Sequence, residues 1–453
     1  MYDPMTGGIY YSKTGRSNPV ENEDNSLNPL YRPVPSKLTN EQRVEKILSV
    51  GEECLTAEEV KKLVDSGKFI YCYDGFEPSG RMHIAQGILK TINVNKLVDS
   101  GCIFIFWVAD WFAMLNNKMG GDLTKIRVIG QYFIEIWKAA GMKMSNVKFV
   151  WASDFINKRP NDYWLQVMNI GCKYSLNRVK RCSTIMGREE SDDLKVSQMI
   201  YPLMQATDVF FLDVDICQLG IDQRKVNILA IDYCNDTHRE KKPVILSHHM
   251  ICGLLQGEEK MSKSSGSAIF MEDSEADVNQ KIKCAFCEPG NIKENPPLEY
   301  VKYFVFDTLG EFVVEREEKF GGNVTYKNFE DVVKDFESKA LFPKDLKNAL
   351  AKAINKILDP VRNHFKNDPE ANRIFQLVKQ YKKEADDLKL KETGKQPKAN
   401  DAGNKNEGQE KKKEPKEKNA QPKEKPTGGE EKKAEAKPKN QPKPDTPAEK
   451  PQA

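Results

Sequence analysis

Tyr73-Asp-Gly-Phe-Glu-Pro-Ser-Gly-Arg-Met-His-Ile-Ala-Gln-Gly87 is the stretch whose reading decides the fold. Ahead of it runs Phe69-Ile70-Tyr71-Cys72, apolar and aromatic over the length of a strand; behind it Ile88, Leu89, Ile92, Val94 and Leu97 recur at helical spacing as far as Gly101. The pattern predicts strand, glycine-rich turn and helix. In an open parallel sheet such a junction lies at the carboxyl ends of the strands, where a helix amino terminus offers N–H groups and a positive dipole end to an anion. A phosphate ligand suits that place. The spacing is neither G-x-G-x-x-G nor G-x-x-x-x-G-K-[ST], so neither the dinucleotide fingerprint nor the P-loop explains it. A plain turn accounts for the glycine and proline equally well.

The 453 residues suffice for two or more domains, and a formal charge of +3 places any nucleic-acid site in a local patch. Ten cysteines, many in apolar runs such as Gly101-Cys102-Ile103-Phe104, read as reduced, packed thiols of a cytoplasmic protein. Cys284-Ala-Phe-Cys287 lacks a second pair or a histidine cluster, which favours core packing over zinc, and no metal site is expected. The opening residues carry no basic-then-apolar signal, and charges interrupt every apolar run before it could span a bilayer, so no membrane partner is expected.

Residues 1–36, rich in Pro, Gly, Asn and Ser, read as an irregular arm. Residues 37–270 read as an α/β domain. Thr39-Asn-Glu-Gln42 and Thr56-Ala-Glu-Glu59 are capping boxes, the second with Leu55 and Val60 at staple positions, and Gly67 ends its helix. Cys102–Ala109 is a buried parallel strand, Thr124–Gly141 an amphipathic helix burying Ile126, Ile129, Phe133 and Ile136 or Trp137, and Val147–Ala152 a third strand. This β-α-β-α-β series predicts a doubly wound, Rossmann-like parallel sheet. An inserted helical segment, 157–190, carries Lys173, Arg178, Lys180, Arg181 and Arg188, either a solvated face or a contact for a partner or RNA. Then come a helix from Val196 to Asp208, a strand Val209–Leu212, a helix from Asp222 to Tyr233 and a strand Pro243–Leu246. Glu258–Gly266 is a polar loop with lysines at 260 and 263. Residues 271–383 read almost entirely helical, with Val278, Ile282, Phe304, Leu309, Leu346, Leu350, Ile354 and Leu358 as core. Residues 384–453 read as a disordered Lys/Glu/Pro-rich tail, since after Leu390 no large apolar residue appears.

His83-Ile-Ala-Gln86-Gly87 at the first strand–helix junction and Lys260-Met-Ser-Lys-Ser264 after the last strand together resemble the HIGH and KMSKS pair of class I aminoacyl-tRNA synthetases. Tyr73–Gly80, Tyr201-Pro-Leu-Met-Gln205-Ala-Thr-Asp208, Gly220-Ile-Asp-Gln223-Arg-Lys225, Lys319-Phe-Gly-Gly322 and Pro343-Lys-Asp345-Leu-Lys347 are similar to the eukaryotic and archaeal tyrosyl-tRNA synthetases, over roughly Leu38 to Phe365. The resemblance implies a cytoplasmic tyrosine–tRNA ligase, a homodimer joined through the region around Ala109 to Phe155, that uses ATP with Mg2+ as substrate and needs no prosthetic group. It makes 271–383 an anticodon-binding domain. It assigns catalytic roles to His83, Gln86, Lys260 and Lys263. ATP is held by Gly80, His83, Gly87, Lys260, Met261, Ser262, Lys263 and Ser264. Tyr73 and Asp208 meet the phenol of L-tyrosine, and Tyr201, Gln205 and Gln223 hold its α-amino group. Arg224 and Lys225 meet the acceptor stem, and Phe320 and Asp345 the first anticodon base.

The residue types suit the chemistry. A tyrosine carboxylate attacking the ATP α-phosphate brings two anions together, so positioning and charge stabilisation are what the site must supply. Lysines over the triphosphate neutralise the departing pyrophosphate. Gln86 stands where relatives commonly have a second histidine, Lys263 brings the loop nearer the general class I pattern, and Leu219 stands where glycine is frequent. A tryptophan-specific enzyme on the same fold would differ at Gly220–Lys225, and the Tyr73/Asp208 pair suits a phenol rather than an indole. A silent RNA-binding relative would have lost His83 or the loop lysines. Another nucleotidyltransferase of the HIGH type would need neither Phe320 and Asp345 nor the helical domain.

Overall fold

The apolar runs on either side of the Tyr73–Gly87 turn become neighbouring strands. In the computed structural model, which describes residues 2–3, 8–9, 18–186, 193–261 and 266–393, one sheet contains β1 (Glu53–Leu55), β2 (Ile70–Phe76), β3 (Cys102–Val108), β4 (Val147–Trp151), β5 (Ile216–Cys217) and β6 (Val244–Ser247). Their spatial order is β1-β6-β5-β2-β3-β4, with every pair parallel except β1-β6. β2 and β3 pair from Ile70 against Cys102 to Phe76 against Val108. Every residue of β3 is buried, because helices cover both faces of the sheet.

Alternation along the strands divides the interior. Cys72, Phe104 and Phe106 pack on one face with the Leu123–Ala139 helix, whereas Tyr73, Ile105 and Trp107 pack on the other with the Pro160–Lys173, Val196–Phe211 and Arg224–Asp236 helices. The chain leaves β2 towards β3 and β4, then crosses back to β5 on the opposite flank. The crevice therefore opens between the carboxyl ends of β2 and β5, where the Gln218 amide donates to the Tyr73 carbonyl at 3.0 Å.

From Asn18 the arm straps the amino ends of the strands. Asn28 donates to the Met144 and Val147 carbonyls, Asn18 to Leu212 and Asp213, and Asn146 exchanges two bonds with the Val34 backbone. Glu21 accepts the hydroxyls of Tyr31 and Tyr71 at 2.8 Å each. Lys148, 2% exposed in a buried strand, gives its ammonium to the carbonyls of Val20, Glu21 and Glu23. Burial pulls its pKa below the usual lysine value.

Helices Glu275–Cys284, Phe329–Glu337, Pro343–Asn367 and Pro369–Thr393 build the following domain. Of its expected core, all but half-buried Leu309 are buried.

The sequence reading differs from the structure at four places. Val209–Leu212 is no strand: it completes and caps the Val196–Phe211 helix, and the strand is Ile216–Cys217. A four-residue apolar run carries no period that separates the two. The first capping box forms, but Thr56 is left-handed (φ 66°) without a cap bond, because Leu55 pairs with Ile245 in β1. Residues 271–383 include an antiparallel ribbon, Phe312–Val314 with Val324–Tyr326. The final helix runs to Thr393 rather than stopping at 383; Glu384 pairs with Lys125 at 2.7 Å. The rest of the expected tail, and Arg188, lie outside the described residues.

Lys148→Ala leaves three inward carbonyls without their donor. It is expected to lower unfolding stability by about 3 kcal/mol, read from the urea midpoint.

Candidate active site

On the Val196–Phe211 helix, positions 201, 205 and 208 follow one another by four and three residues, so Tyr201, Gln205 and Asp208 share a face. All three are buried. Asp208 accepts the Tyr163 hydroxyl at 2.8 Å. Burial pushes the Asp208 carboxyl well above the ordinary range, which the Tyr163 bond offsets only in part. Tyr73 is fully buried, and its hydroxyl has no hydrogen-bond partner among the described residues. Burial, with Asp208 nearby, holds it as a neutral phenol, able both to donate and to accept.

The polar wall continues from there. Tyr201 donates to Glu77 at 2.6 Å, and Asn116 donates to the same carboxylate at 3.1 and 3.2 Å. Gln205 donates to Gln223 at 3.0 Å, and Gln223 donates to the Ile185 carbonyl at 3.2 Å. Tyr201 with Glu77, and Gln205 with Gln223, thus form two hydrogen-bonded pairs on the same side of β2 as Tyr73 and Asp208.

On the opposite face of β2, Asp74 pairs with the buried Lys90 at 2.5 Å. Lys90 also donates to Gln218 at 2.9 Å, and Gln218 meets His248 Nδ1 at 2.8 Å. Shielding from water and the neighbouring Lys90 push the His248 pKa well down, so its ring is neutral. Sequence reasoning missed Lys90, Gln218 and His248. Lys90 did leave a signal, a lysine set between Ile88-Leu89 and Thr91-Ile92 on an apolar helix.

The helix after the turn begins with a π segment, Ala85–Leu89, and continues as Lys90–Asp99. His83 Nδ1 accepts the Gln86 amide at 3.4 Å, which leaves the ring proton on Nε2. Gln86 Oε1 is buried without a partner among the described residues, while the Gln86 carbonyl accepts the Trp137 indole at 2.9 Å. Gly80 has φ +110°, which requires glycine. Gly87 is small for packing, since a Cβ there would stand 2.2 Å from the Met271 sulfur. Lys260 is half exposed, 3.9 Å from Asp222, and Met261 is buried with its amide on the Ile251 carbonyl at 2.8 Å. Ser262, Lys263 and Ser264 lie outside the described residues.

Farther out, Arg224 is paired with Glu53 at 2.9 Å at the head of the Arg224–Asp236 helix, and Lys225 follows it. Phe320 is 60% exposed, and Asp345 lies on the first turn of the Pro343–Asn367 helix. Arg316, which the sequence reading passed over, donates to the Gly322 and Ala340 carbonyls at 2.8 Å each, tying the Phe320 loop to the approach to that helix. Among the described residues no cluster of His, Cys, Asp and Glu is arranged to hold a metal ion.

Residues 65–359 match the family of tRNA synthetases class I (W and Y). Arabidopsis thaliana cytoplasmic tyrosine–tRNA ligase 1 is 57% identical over 76% of this chain and 89% of its own length. The chain belongs to the tyrosyl-tRNA synthetases. A Leishmania major tyrosyl-tRNA synthetase in complex with tyrosinol is 46% identical with TM-score 0.73, over 76% of this chain and 66% of that one. The Pyrococcus horikoshii enzyme complexed with L-tyrosine is 33% identical with TM-score 0.70, over 76% of this chain and 100% of its own.

In this synthetase Tyr163, which has no role in the sequence reading, is the side chain that holds Asp208. Tyr163→Phe is expected to raise the KM for tyrosine about 10-fold in pyrophosphate exchange, the loss of roughly one hydrogen bond to a charged group, with the unfolding midpoint little changed.

Proposed function

We propose that the protein activates L-tyrosine with ATP, releasing pyrophosphate, and transfers the tyrosyl group to the 3′ end of its tRNA. The observation that carries this reading is the buried Tyr73 hydroxyl, without a protein partner, beside the buried carboxylate that Tyr163 holds. A substrate phenol there accepts from Tyr73 and donates to Asp208. Phenylalanine would leave the Tyr73 hydroxyl unpaired and Asp208 with its Tyr163 bond alone, which is how such a site rejects it; the figure of about 10⁵ is the established one for enzymes of this kind rather than one derived from the present geometry.

The amino end of the substrate falls to Tyr201, Gln205 and Gln223. The substrate carboxylate then attacks the α-phosphate in line as pyrophosphate departs. His83 and the Gly80 turn receive the phosphates, Gln86 turns its amide to them, and Lys260 and Lys263 neutralise the leaving pyrophosphate. Mg2+ enters with ATP. In the second step the terminal ribose hydroxyl attacks the tyrosyl carbonyl and AMP leaves. No side chain becomes covalently attached, so the rate rests on placement and charge. Arg224 and Lys225 approach the acceptor stem, while exposed Phe320 stacks on the first anticodon base and Asp345 accepts from it.

We place the enzyme in the cytoplasm with the plant relative whose name says so; no helix among the described residues is long and apolar enough to cross a membrane. Trp164, Leu165 and Met168 on the Pro160–Lys173 helix and Leu176 beyond it are 36–68% exposed, an apolar face suited to a second copy of the chain.

Tyrosine-dependent exchange of pyrophosphate into ATP tests the main reading, and equal exchange with tryptophan would sink it. Asp208→Ala is expected to lower kcat/KM for tyrosine by about 10³-fold while leaving phenylalanine nearly untouched. Loss of folding without that selectivity would remove Asp208 from the role. Met168→Glu is expected to convert a dimer to monomers in sedimentation; an unchanged mass would move the interface elsewhere.

A further inference from the structure

Arg81 stands in the opening turn, two residues before His83, and none of the roles above uses it. Its Nε donates to Glu272 at 2.6 Å and its Nη2 to Asp273 at 2.8 Å, and the guanidinium lies 4.2 Å from the centre of the Phe270 ring. Both carboxylates are almost wholly buried, their side chains 2% and 4% exposed. The backbones beside them are joined as well: Ile84 N donates to the Ile269 carbonyl at 2.8 Å, Met271 N to the Met82 carbonyl at 3.0 Å, and His83 bridges Phe270 antiparallel. Residues 266–273 therefore lie along the turn that receives ATP.

The same segment reaches back to Lys260. Ser267 donates to Glu258 at 2.6 Å, two residues before that lysine. At its other end Asp273 accepts Lys281 at 2.6 Å, and its carbonyl accepts Arg362 of the Pro343–Asn367 helix at 2.7 Å. Packing alone does not call for an arginine here, because apolar side chains of similar volume often hold two segments together as well as a buried ion pair does. What a planar, two-pronged donor adds is direction, and so a defined register between the segments it joins.

We propose that Arg81 is a positioning residue for tyrosine activation: by fixing residues 266–273 against the His83 turn, it sets where Lys260 stands relative to the ATP phosphates. The path runs from Arg81 through Glu272 and Asp273 to Ser267, Glu258 and Lys260. This inference rests on the ATP-binding reading of Lys260 given above.

A double-mutant cycle on pyrophosphate exchange decides it, with wild type, Arg81→Lys, Lys260→Ala and the double variant, each with its unfolding midpoint. Lysine keeps the charge and loses the fork. Arg81→Lys is expected to lower kcat about 30-fold with the KM for tyrosine unchanged, yet less than about 3-fold in the Lys260→Ala background, because the two residues act through one geometry. Equal losses in both backgrounds overturn the proposal while leaving the reading of Lys260 intact. An unimpaired Lys260→Ala enzyme overturns that reading first and the proposal with it. Glu272→Gln, which breaks the pair from its other side at constant volume, goes through the same cycle and decides the question if Arg81→Lys does not fold.

Discussion

The bond from the Gln218 amide to the Tyr73 carbonyl, the last rung between β2 and β5, marks where the sheet reverses its direction of growth, and the candidate active site is arranged about it. β2, β3 and β4, to one side of this rung, precede the inserted helices; β5 and β6, to the other side, follow them, with β1 added antiparallel at the far edge. No crossover helix covers the carboxyl ends at such a point, so a crevice is unavoidable. β2 then divides the labour by its pleat. Tyr73 points to the face that holds Asp208, Tyr163 and Tyr201, whereas Asp74, one residue on, belongs with Lys90, Gln218 and His248.

That second group explains how charge is kept at the reversal. A buried ammonium is stable only with good acceptors, and Lys90 has Asp74 and the Gln218 oxygen. Burial raises the Asp74 pKa, and the pair with Lys90 offsets that only in part. Burial, and after it the Lys90 charge, hold the His248 pKa down, which fits the hydrogen bond between its neutral ring and Gln218. One lysine thereby ties β2, the start of the next helix, the end of β5 and the loop after β6.

Residues with a periodic signal were legible from sequence. β3, Ile126, Ile129, Phe133 and the Tyr201–Asp208 set follow strand or helix spacing, and the structure puts each where that spacing implies. The Val209–Leu212 strand failed because four apolar residues fit either period. The Thr56 cap failed because a distant partner, β6, outweighed a local preference. Tyr163, Lys90 and His248 were illegible for the same reason: their roles depend on partners 45, 128 and 30 residues away. Gly87 shows the reverse case, a motif glycine whose smallness is required by Met271.

The two ends of the sheet treat buried polar groups in opposite ways. At the amino ends the arm completes the hydrogen bonding: Lys148 finds three carbonyls, Asn28 finds two, and both oxygens of Glu21 are occupied by tyrosines. At the carboxyl ends the Tyr73 hydroxyl and Gln86 Oε1 have no hydrogen-bond partner among the described residues. Each such atom costs about 1–3 kcal/mol in the unliganded protein, a cost that selection of fold alone would remove by replacing tyrosine with phenylalanine. The hydrogen bonds of the strapped end act in the other direction and stabilise the same sheet.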